Sequence, residues 1–224
     1  MDQYELARRS IYLLSQCVNF SSEEQVREGE KRLQVRIERA DELLGMLEEW
    51  RRNLSVHFEP LPTEKEEDDA VFKSIWINPL SFAAALQMYS FARILLLIYR
   101  PAPSGFQEFA ARSKQIEEAV DTICGIAKAQ LSNPCSSTAS SDGTTSRPAA
   151  ASTSTSCEEH ESGTAAGASL TSTQCLFAAG LYTHRAARRE AIAELLGEHQ
   201  ARTGWPVNCL KEELRREWAK DLGR

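Results

Sequence analysis

Apolar residues near the N-terminus recur at spacings of three and four, which is the period of an amphipathic α-helix. The first stripe predicts a helix that buries Tyr4, Ala7, Ile11, Leu14 and Val18. A second, longer stripe is surrounded by charged residues. Its members are Leu33, Ile37, Ala40, Leu44, Leu47, Trp50 and Leu54. We interpret this second helix as packed on its own domain. A coiled-coil seam is the alternative, although the stripe is short for one.

Capping residues and prolines predict where the helices of the first half begin and end. Ser21 and Ser22 are each followed, three positions later, by a glutamate or glutamine, which fits a capping box at the start of the longer helix. The segment Phe58–Pro62 carries two prolines and predicts the end of that helix. Asn78 and Pro79 then predict the start of the next one, with Asn78 as N-cap and Pro79 at the first helical position.

The helix that follows Asn78 is the most apolar in the chain and predicts a central helix. It extends to Arg100, where Pro101 ends it, and a further helical pattern covers Phe106–Leu131. The longest uninterrupted apolar run in the chain, Ile94–Tyr99, is far shorter than the roughly 20 residues that span a bilayer. The N-terminus lacks the features of a secretory signal. We therefore expect the protein in the cytosol or the nucleus.

The composition changes sharply in the segment Ser132–Ser172. Serine and threonine account for 19 of its 41 residues, and Leu170 is its one large aliphatic residue. Such a segment buries too little apolar surface to offset the entropy of ordering, which predicts disorder. We therefore expect three parts: a helical part at residues 1–131, a disordered Ser/Thr-rich insertion at 132–172, and a helical part at 173–224 that packs on the first.

Helical patterns return after the insertion. Thr171–Gln174 fits a capping box, Arg188–His199 has helical periodicity, and Asn208 is placed to cap a last helix. Between them, Thr203–Pro206 predicts a helix stop and a turn. Trp205 is the one large apolar residue in that turn, and we expect its ring to be buried. We find no period-two strand, and the predicted fold is all-α with roughly six or seven helices.

Charge and cysteine spacing exclude several classes of function. The chain has 26 basic and 32 acidic residues and a net charge of −6, which disfavours unaided nucleic-acid binding. No two of its six cysteines are closer than Cys124 and Cys135, 11 positions apart, whereas zinc and dithiol sites need close pairs. The remaining cysteines are Cys17, Cys157, Cys175 and Cys209. We therefore expect no metal and no cofactor.

No motif of phosphate binding, nucleophilic hydrolysis or metalloprotease catalysis is present, so we expect no enzymatic activity. The four histidines are His57, His160, His184 and His199, and we interpret them as surface residues. A Cys175–His184 nucleophile pair is a weaker alternative. The acidic run Glu64–Asp69 is interpreted as a loop, with an activation segment as the alternative. The basic cluster Arg185, Arg188 and Arg189 is interpreted as a surface helix face with local ion pairs rather than an anion site.

An ordered set of short segments resembles one family. The segments are Trp50–Leu54, Phe58–Pro62, Phe72–Pro79, Tyr89–Leu96, Ile123–Ala127, Gln174–Gly180, Arg189-Glu190, Thr203–Pro206 and Leu214–Trp218. Together they resemble the C-terminal regulatory region of fungal zinc binuclear cluster transcription factors, over roughly Glu42–Trp218. The resemblance implies an α-helical regulatory or effector domain in a fungal nucleus that controls transcription by RNA polymerase II without catalysis. It implies protein partners of the transcription machinery, another copy of the chain, or a small-molecule inducer.

The sequence departs from that family in one respect. Members read DNA through six closely spaced cysteines that hold two zinc ions, and none of the cysteines here has that spacing. Zinc and DNA binding therefore do not carry over to this chain, and we expect DNA contact only through a zinc cluster domain that this sequence lacks. The alternative is a free-standing α-helical scaffold that binds protein partners through the Leu33–Leu54 face and has no role in transcription.

Overall fold

The computed structural model of the protein describes residues 2–62, 70–101, 106–132 and 155–222, of which 106, 155–165, 221 and 222 are described by their backbone alone. Within these ranges the chain forms eight α-helices, a short 3₁₀ helix at Val56–Phe58 and no β-strand. The helices are α1 (Gln3–Phe20), α2 (Glu23–Lys31), α3 (Leu33–Arg52), α4 (Leu80–Tyr99), α5 (Phe106–Leu131), α6 (Thr155–Leu181), α7 (Ala186–Thr203) and α8 (Asn208–Leu222). The predicted all-α fold is confirmed. The acidic run at 64–69 lies outside the described residues.

Helix α4 lies at the centre of the fold, as its apolar sequence predicts. Twelve of its 20 residues are buried, and it packs against α1, α3, α5 and α6. By length and composition alone α4 is apolar enough to cross a membrane, but 67% of its most apolar window is buried inside the protein. Burial at the centre of a helical domain accounts for this hydropathy, because such a helix meets apolar neighbours on most sides.

Aromatic rings fill the core between α1, α3 and α4. The Trp50 ring meets Phe58 edge-on at 6.0 Å between centroids and stacks on Tyr89 at 5.2 Å. Phe58 in turn stacks on Phe82 at 4.3 Å. The indole Nε1 of Trp50 donates a hydrogen bond to the Leu6 carbonyl at 2.7 Å, so its polar atom is satisfied inside the core. These contacts connect α1 to the centre of the domain.

Helix α1 forms as predicted, but the predicted buried face is largely wrong. The buried residues are Leu6, Ala7, Ser10, Leu13, Cys17 and Phe20. Tyr4, Ile11 and Val18 from the predicted face are instead 55%, 56% and 47% exposed. The pattern counts Ser10 as polar, yet its Oγ donates to the Ala7 carbonyl at 2.6 Å. A hydroxyl satisfied inside its own helix can face the core, and this shifts the buried face.

The long helix predicted after the serine pair is two helices, α2 and α3, separated at Arg32. Its backbone there (φ −136°, ψ 60°) departs from helical geometry. In α3, the residues Ala40, Leu47 and Trp50 are buried as predicted, whereas Leu33 is 56% exposed. Helix α3 packs against α1, α2 and α4 of its own domain, in agreement with the favoured interpretation over a coiled coil.

The predicted capping signals hold only in part. Ser22 is the N-cap of α2, and its side chain accepts a hydrogen bond from the Gln25 backbone N–H at 3.4 Å. Asn78 does not cap α4. Pro79 occupies the N-cap position, and its carbonyl accepts from the Phe82 N–H at 2.9 Å. The helix therefore begins one residue later than predicted, because the proline ends the extended segment rather than opening the helix.

The predicted insertion extends too far towards the C-terminus. Helix α6 begins at Thr155 and continues through the whole of the predicted capping segment 171–174, and its residues Ala168, Ser169 and Ser172 are buried. Small side chains bury little apolar area, but they let α6 lie close to its neighbours, while the buried hydroxyls find hydrogen-bond partners there. Composition alone therefore misjudged this part. Residues 133–154 of the predicted insertion lie outside the described residues.

The turn after α7 has the predicted conformation but the opposite side-chain placement. Gly204 is left-handed (φ 69°), and its N–H donates to the Gln200 carbonyl at 2.8 Å. Trp205 is 55% exposed, so the expectation of a buried ring is wrong. Val207 is fully buried in its place. The Thr203 hydroxyl accepts a hydrogen bond from the Trp205 backbone N–H at 3.2 Å. The turn is therefore held by hydrogen bonds from backbone N–H groups rather than by packing of the indole.

Candidate functional site

The cysteines that the structure describes are mostly unsuited to nucleophilic chemistry. Cys17, Cys124 and Cys175 are buried, and Cys209 is exposed. Burial raises the pKa of the Cys17 and Cys175 thiols to about 12 and also raises that of Cys124. A thiol attacks as its thiolate, so this environment suppresses reactivity. His184 is exposed beyond the end of α6 while Cys175 faces the core, and the structure does not bring these two together as a pair.

The histidines do not converge either. In the described part of the chain no three His, Cys, Asp or Glu side chains are grouped as a metal site requires. His57 and His184 are exposed, as predicted. The side chains of His160 and Cys157, and the whole of Cys135, lie outside the described part.

His199 is the exception. It was predicted to lie on the surface, but it is buried, with only 1% of its surface exposed. Its Nε2 lies 3.2 Å from the Ala127 carbonyl, and its Nδ1 lies 2.9 Å from Ser169 Oγ. A carbonyl only accepts, so Nε2 carries the proton and Nδ1 accepts from the hydroxyl. Burial, together with the positive charge of Arg202, lowers the pKa of His199 to about 4. The neutral ring therefore links α5, α6 and α7.

A second buried polar group joins α4, α5 and α6. Gln87 is fully buried, and its Nε2 donates to the Ile123 carbonyl at 3.1 Å. Ser172 Oγ lies 2.8 Å from Gln87 Oε1 and 2.7 Å from Gln130 Oε1. One hydroxyl proton cannot serve both oxygens, and Gln130 Nε2 has no partner in this orientation. Rotating the Gln130 amide by a half-turn directs its NH₂ to Ser172 and satisfies the serine as both donor and acceptor.

Arg36 is a buried residue of α3 that connects this helix to α1, α2 and α4. It is 8% exposed, and its guanidinium donates to the carbonyls of Phe20 at 3.3 Å, Gln25 at 2.9 Å and Tyr99 at 3.1 Å. Phe20 and Tyr99 are the last residues of α1 and α4, so the positive charge lies at the negative ends of two helix dipoles. Burial lowers the pKa of Arg36. A guanidinium nevertheless stays protonated in proteins. Sequence analysis missed this residue because it reads as one more charge on α3.

Two members of the predicted basic cluster, Arg185 and Arg188, form ion pairs with α5. The third, Arg189, is buried rather than on the surface as predicted, and it donates to the Thr183 carbonyl at 2.6 Å. Arg188 lies 2.7 Å from Asp121 and also covers the Phe72 ring at 5.0 Å. Only 14% of the Arg188 side chain is exposed, so it is less of a surface residue than predicted. Arg185 is exposed and lies 3.5 Å from Glu117. Burial raises the pKa of Asp121, although the charge of Arg188 opposes this. The ion pairs of Arg185 and Arg188 hold the start of α7 against α5.

An open groove lies where α2 meets the end of α4. Its lining residues are Ser21, Glu23, Val26, Arg27, Glu30 and Tyr99. The groove is wide open to solvent and has charges of both signs. Ligand sites are typically concave and mostly apolar, with a few convergent polar groups. This groove therefore lacks the enclosure of a small-molecule site.

The outer face of α1 presents large apolar side chains to solvent. Tyr4, Ile11, Tyr12 and Val18 are each 47% to 56% exposed. The buried side chains of His199, Gln87 and Arg36, by contrast, form hydrogen bonds to groups on neighbouring helices. His199 and Arg36 are therefore structural links between helices. No protein-family model, curated protein or solved structure matches this chain.

Proposed function

We propose that the chain is a regulatory or effector domain of a fungal transcription factor. In this proposal it acts in the nucleus on transcription by RNA polymerase II, through protein partners or a small-molecule inducer, and has neither catalytic activity nor DNA contact of its own. The proposal starts from the ordered segments that resemble that family. The observation that carries it is that eight of the nine segments, scattered between Trp50 and Trp218, each contact at least one other of them in the described fold.

Three of the segments meet in the core between α1, α3 and α4. Trp50, Phe58 and Tyr89 each come from a different one of them, and the Trp50 ring contacts both of the others. Aromatic pairs of this kind contribute about 0.5–1.5 kcal/mol beyond their buried area. Such contacts make these three segments parts of one packed core, as the proposal of a single domain requires.

Two further segments meet at Gly125. Its carbonyl accepts a hydrogen bond from the Ile75 N–H at 2.9 Å, which fixes the extended segment before α4 on α5. A Cβ at Gly125 would lie 2.4 Å from the Lys73 carbonyl oxygen, so only glycine allows this approach.

The C-terminal segments meet at Trp218. Its Nε1 donates to the Gly180 carbonyl at 2.8 Å, and the Arg189 guanidinium lies 5.5 Å from the Trp218 ring centroid. These three residues belong to three of the resembling segments. Their contacts connect α6, α7 and α8, which supports a single regulatory unit that includes the C-terminal helices.

A reporter assay tests the proposal. The full chain is fused to a heterologous DNA-binding domain in a fungal host that carries the matching reporter. We expect reporter transcription to change several-fold relative to the DNA-binding domain alone. The Gly125→Val variant should lose this effect, because its side chain meets the Lys73 carbonyl and disrupts the fold. A fusion that is folded and nuclear but leaves the reporter unchanged would favour the scaffold without a transcriptional role.

A further inference from the structure

Helix α8 is attached to the rest of the fold through one face. Leu214 is its one buried residue among positions 208–220, and Leu210 and Trp218 are partly buried beside it. These three residues are spaced by four positions and therefore lie on one side of the helix. Helix α4, by contrast, buries 12 of its 20 residues. Helix α8 thus adds a single fully buried side chain to the core that the other helices form.

The turn that leads into α8 is not packed against the rest of the protein. Residues 201–206 are exposed throughout, and no atom lies within 4 Å of a Cβ placed on Gly204, whose φ is 69°. On the α7 side of the turn, Arg202 donates to the Gln130 carbonyl at 2.6 Å, which fixes the end of α7 on α5. A rotation of the backbone at Gly204 therefore moves α8 while α7 stays in place.

The docking site of α8 is formed by Gly180, Arg189 and Ile192, and it fits two specific side chains. A Cβ at Gly180 would lie 2.8 Å from Leu214 Cδ1, so the missing side chain leaves the notch that holds this leucine. The Gly180 carbonyl belongs to the last turn of α6, whose carbonyls lack intrahelical donors, and it accepts from Trp218 Nε1 at 2.8 Å. The Arg189 guanidinium lies 5.5 Å from the Trp218 ring centroid. The docking site therefore recognises a leucine and, four residues later, a tryptophan.

Recognition of an amphipathic helix by a groove uses apolar anchors at such spacings, and here the chain's own helix fills the groove. We propose that α8 is an autoinhibitory helix. It leaves its docking site as a unit, together with the buried Val207, and the site then binds a helix of a protein partner. The partner helix carries leucine, leucine and tryptophan at positions i, i+4 and i+8, which is the pattern of Leu210, Leu214 and Trp218. Release of α8 limits the binding of the partner, because the two helices compete for one site. This inference does not depend on the proposed transcriptional role.

Binding of a labelled peptide of residues 206–224 to the full chain, followed by fluorescence anisotropy, tests the proposal. The Leu214→Glu variant of the full chain places a charge in the notch and releases its own α8. It should therefore bind the peptide at least about tenfold more tightly than the parent does. The matched control is Ala219→Glu on the exposed side of α8, and this variant should bind the peptide as weakly as the parent. A peptide that binds the parent and the Leu214→Glu chain equally, or that binds neither, overturns the proposal.

Two further measurements assign the binding to this site. Adding Gly180→Ala to the Leu214→Glu chain should abolish the tighter binding of the peptide, because the added methyl group fills the notch. Peptide binding that survives Gly180→Ala would place the peptide elsewhere and overturn the proposal. Circular dichroism should show that the Leu214→Glu chain still unfolds cooperatively, because the contacts among α1, α3, α4, α5 and α6 do not involve α8. A Leu214→Glu chain that fails to fold would show that α8 is an inseparable part of the core, which also overturns the proposal.

Discussion

Replacing Arg36 with methionine should destabilise the fold more than any other single charge removal on α3. The substitution keeps most of the aliphatic volume and removes the guanidinium. Three carbonyls then lose their donor, at 3.3, 2.9 and 3.1 Å, and the Phe20 ring loses a cation 4.2 Å from its centroid. Two of these carbonyls end helices α1 and α4, where the intrahelical ladder provides no replacement donor.

The expected loss is about 3–4 kcal/mol in the free energy of unfolding. A hydrogen bond from a charged group contributes about 1.5–3 kcal/mol, and the cation–π contact contributes about 0.5–2. The full sum is not lost, because methionine avoids the cost of burying a charge. The carbonyls of Phe20 and Tyr99 at two helix ends remain unpaired. A loss of this size is typical when one partner of a buried charged contact is removed.

Equilibrium unfolding in urea at neutral pH, followed by circular dichroism, measures this loss. The matched control is Arg39→Met, because the Arg39 side chain is 41% exposed and pairs with Glu42 at 2.6 Å. That variant should lose less than about 1 kcal/mol. Arg36→Lys should fall between, because an ammonium keeps the charge but lacks the planar fork. If Arg36→Met and Arg39→Met cost the same, the account of Arg36 as the link between α1 and α4 is refuted.

The other predictions use the same unfolding assay. Gly125→Ala should lose about 1–3 kcal/mol, because its Cβ would lie 2.4 Å from a backbone oxygen, whereas Gly45→Ala should gain about 0.5–1, because no atom lies within 4 Å. Arg188→Ala should lose about 1–3 kcal/mol against less than about 0.5 for the exposed Arg185→Ala, and equal losses would contradict the ion pair with α5. His199 has a folded pKa of about 4 against 6.5 unfolded, so between these values the unfolded state binds more protons and stability falls as the pH drops. The loss should approach about 3 kcal/mol at pH 4, and a His199→Gln variant with the same pH dependence as the parent would contradict it.

Periodicity was sufficient to predict several of the helices but not which face of each is buried. The spacing of apolar residues depends on the backbone, and so α1, α4, α5 and α7 could be predicted from it. The buried face depends on what lies next to the helix. Ser10 faces the core because its hydroxyl bonds within α1, and Leu33 is exposed because α3 begins there, after the break at Arg32. Neither outcome depends on hydrophobicity alone.

The buried polar contacts could not be predicted, because each depends on partners distant in the chain. Ser172 reaches Gln87 from 85 positions away, and His199 reaches Ala127 from 72. One signal was available: Gln87 lies in a helix that is apolar on nearly all sides, and a buried amide needs a partner. That signal identifies a buried amide that requires a hydrogen-bond partner, but it does not identify which residue is the partner. Ser172 was assigned to the insertion, so its role was missed.

The wrong prediction for α1 and the wrong prediction for Trp205 differ in what they imply. Trp205 is a single exposed ring with no periodic neighbour, and its exposure requires no partner. Tyr4, Ile11 and Val18 form a stripe with the spacing of a helix-packing surface, and the fold leaves all three half-exposed. A pattern that predicts burial and is not used within the chain remains available for contact with another chain.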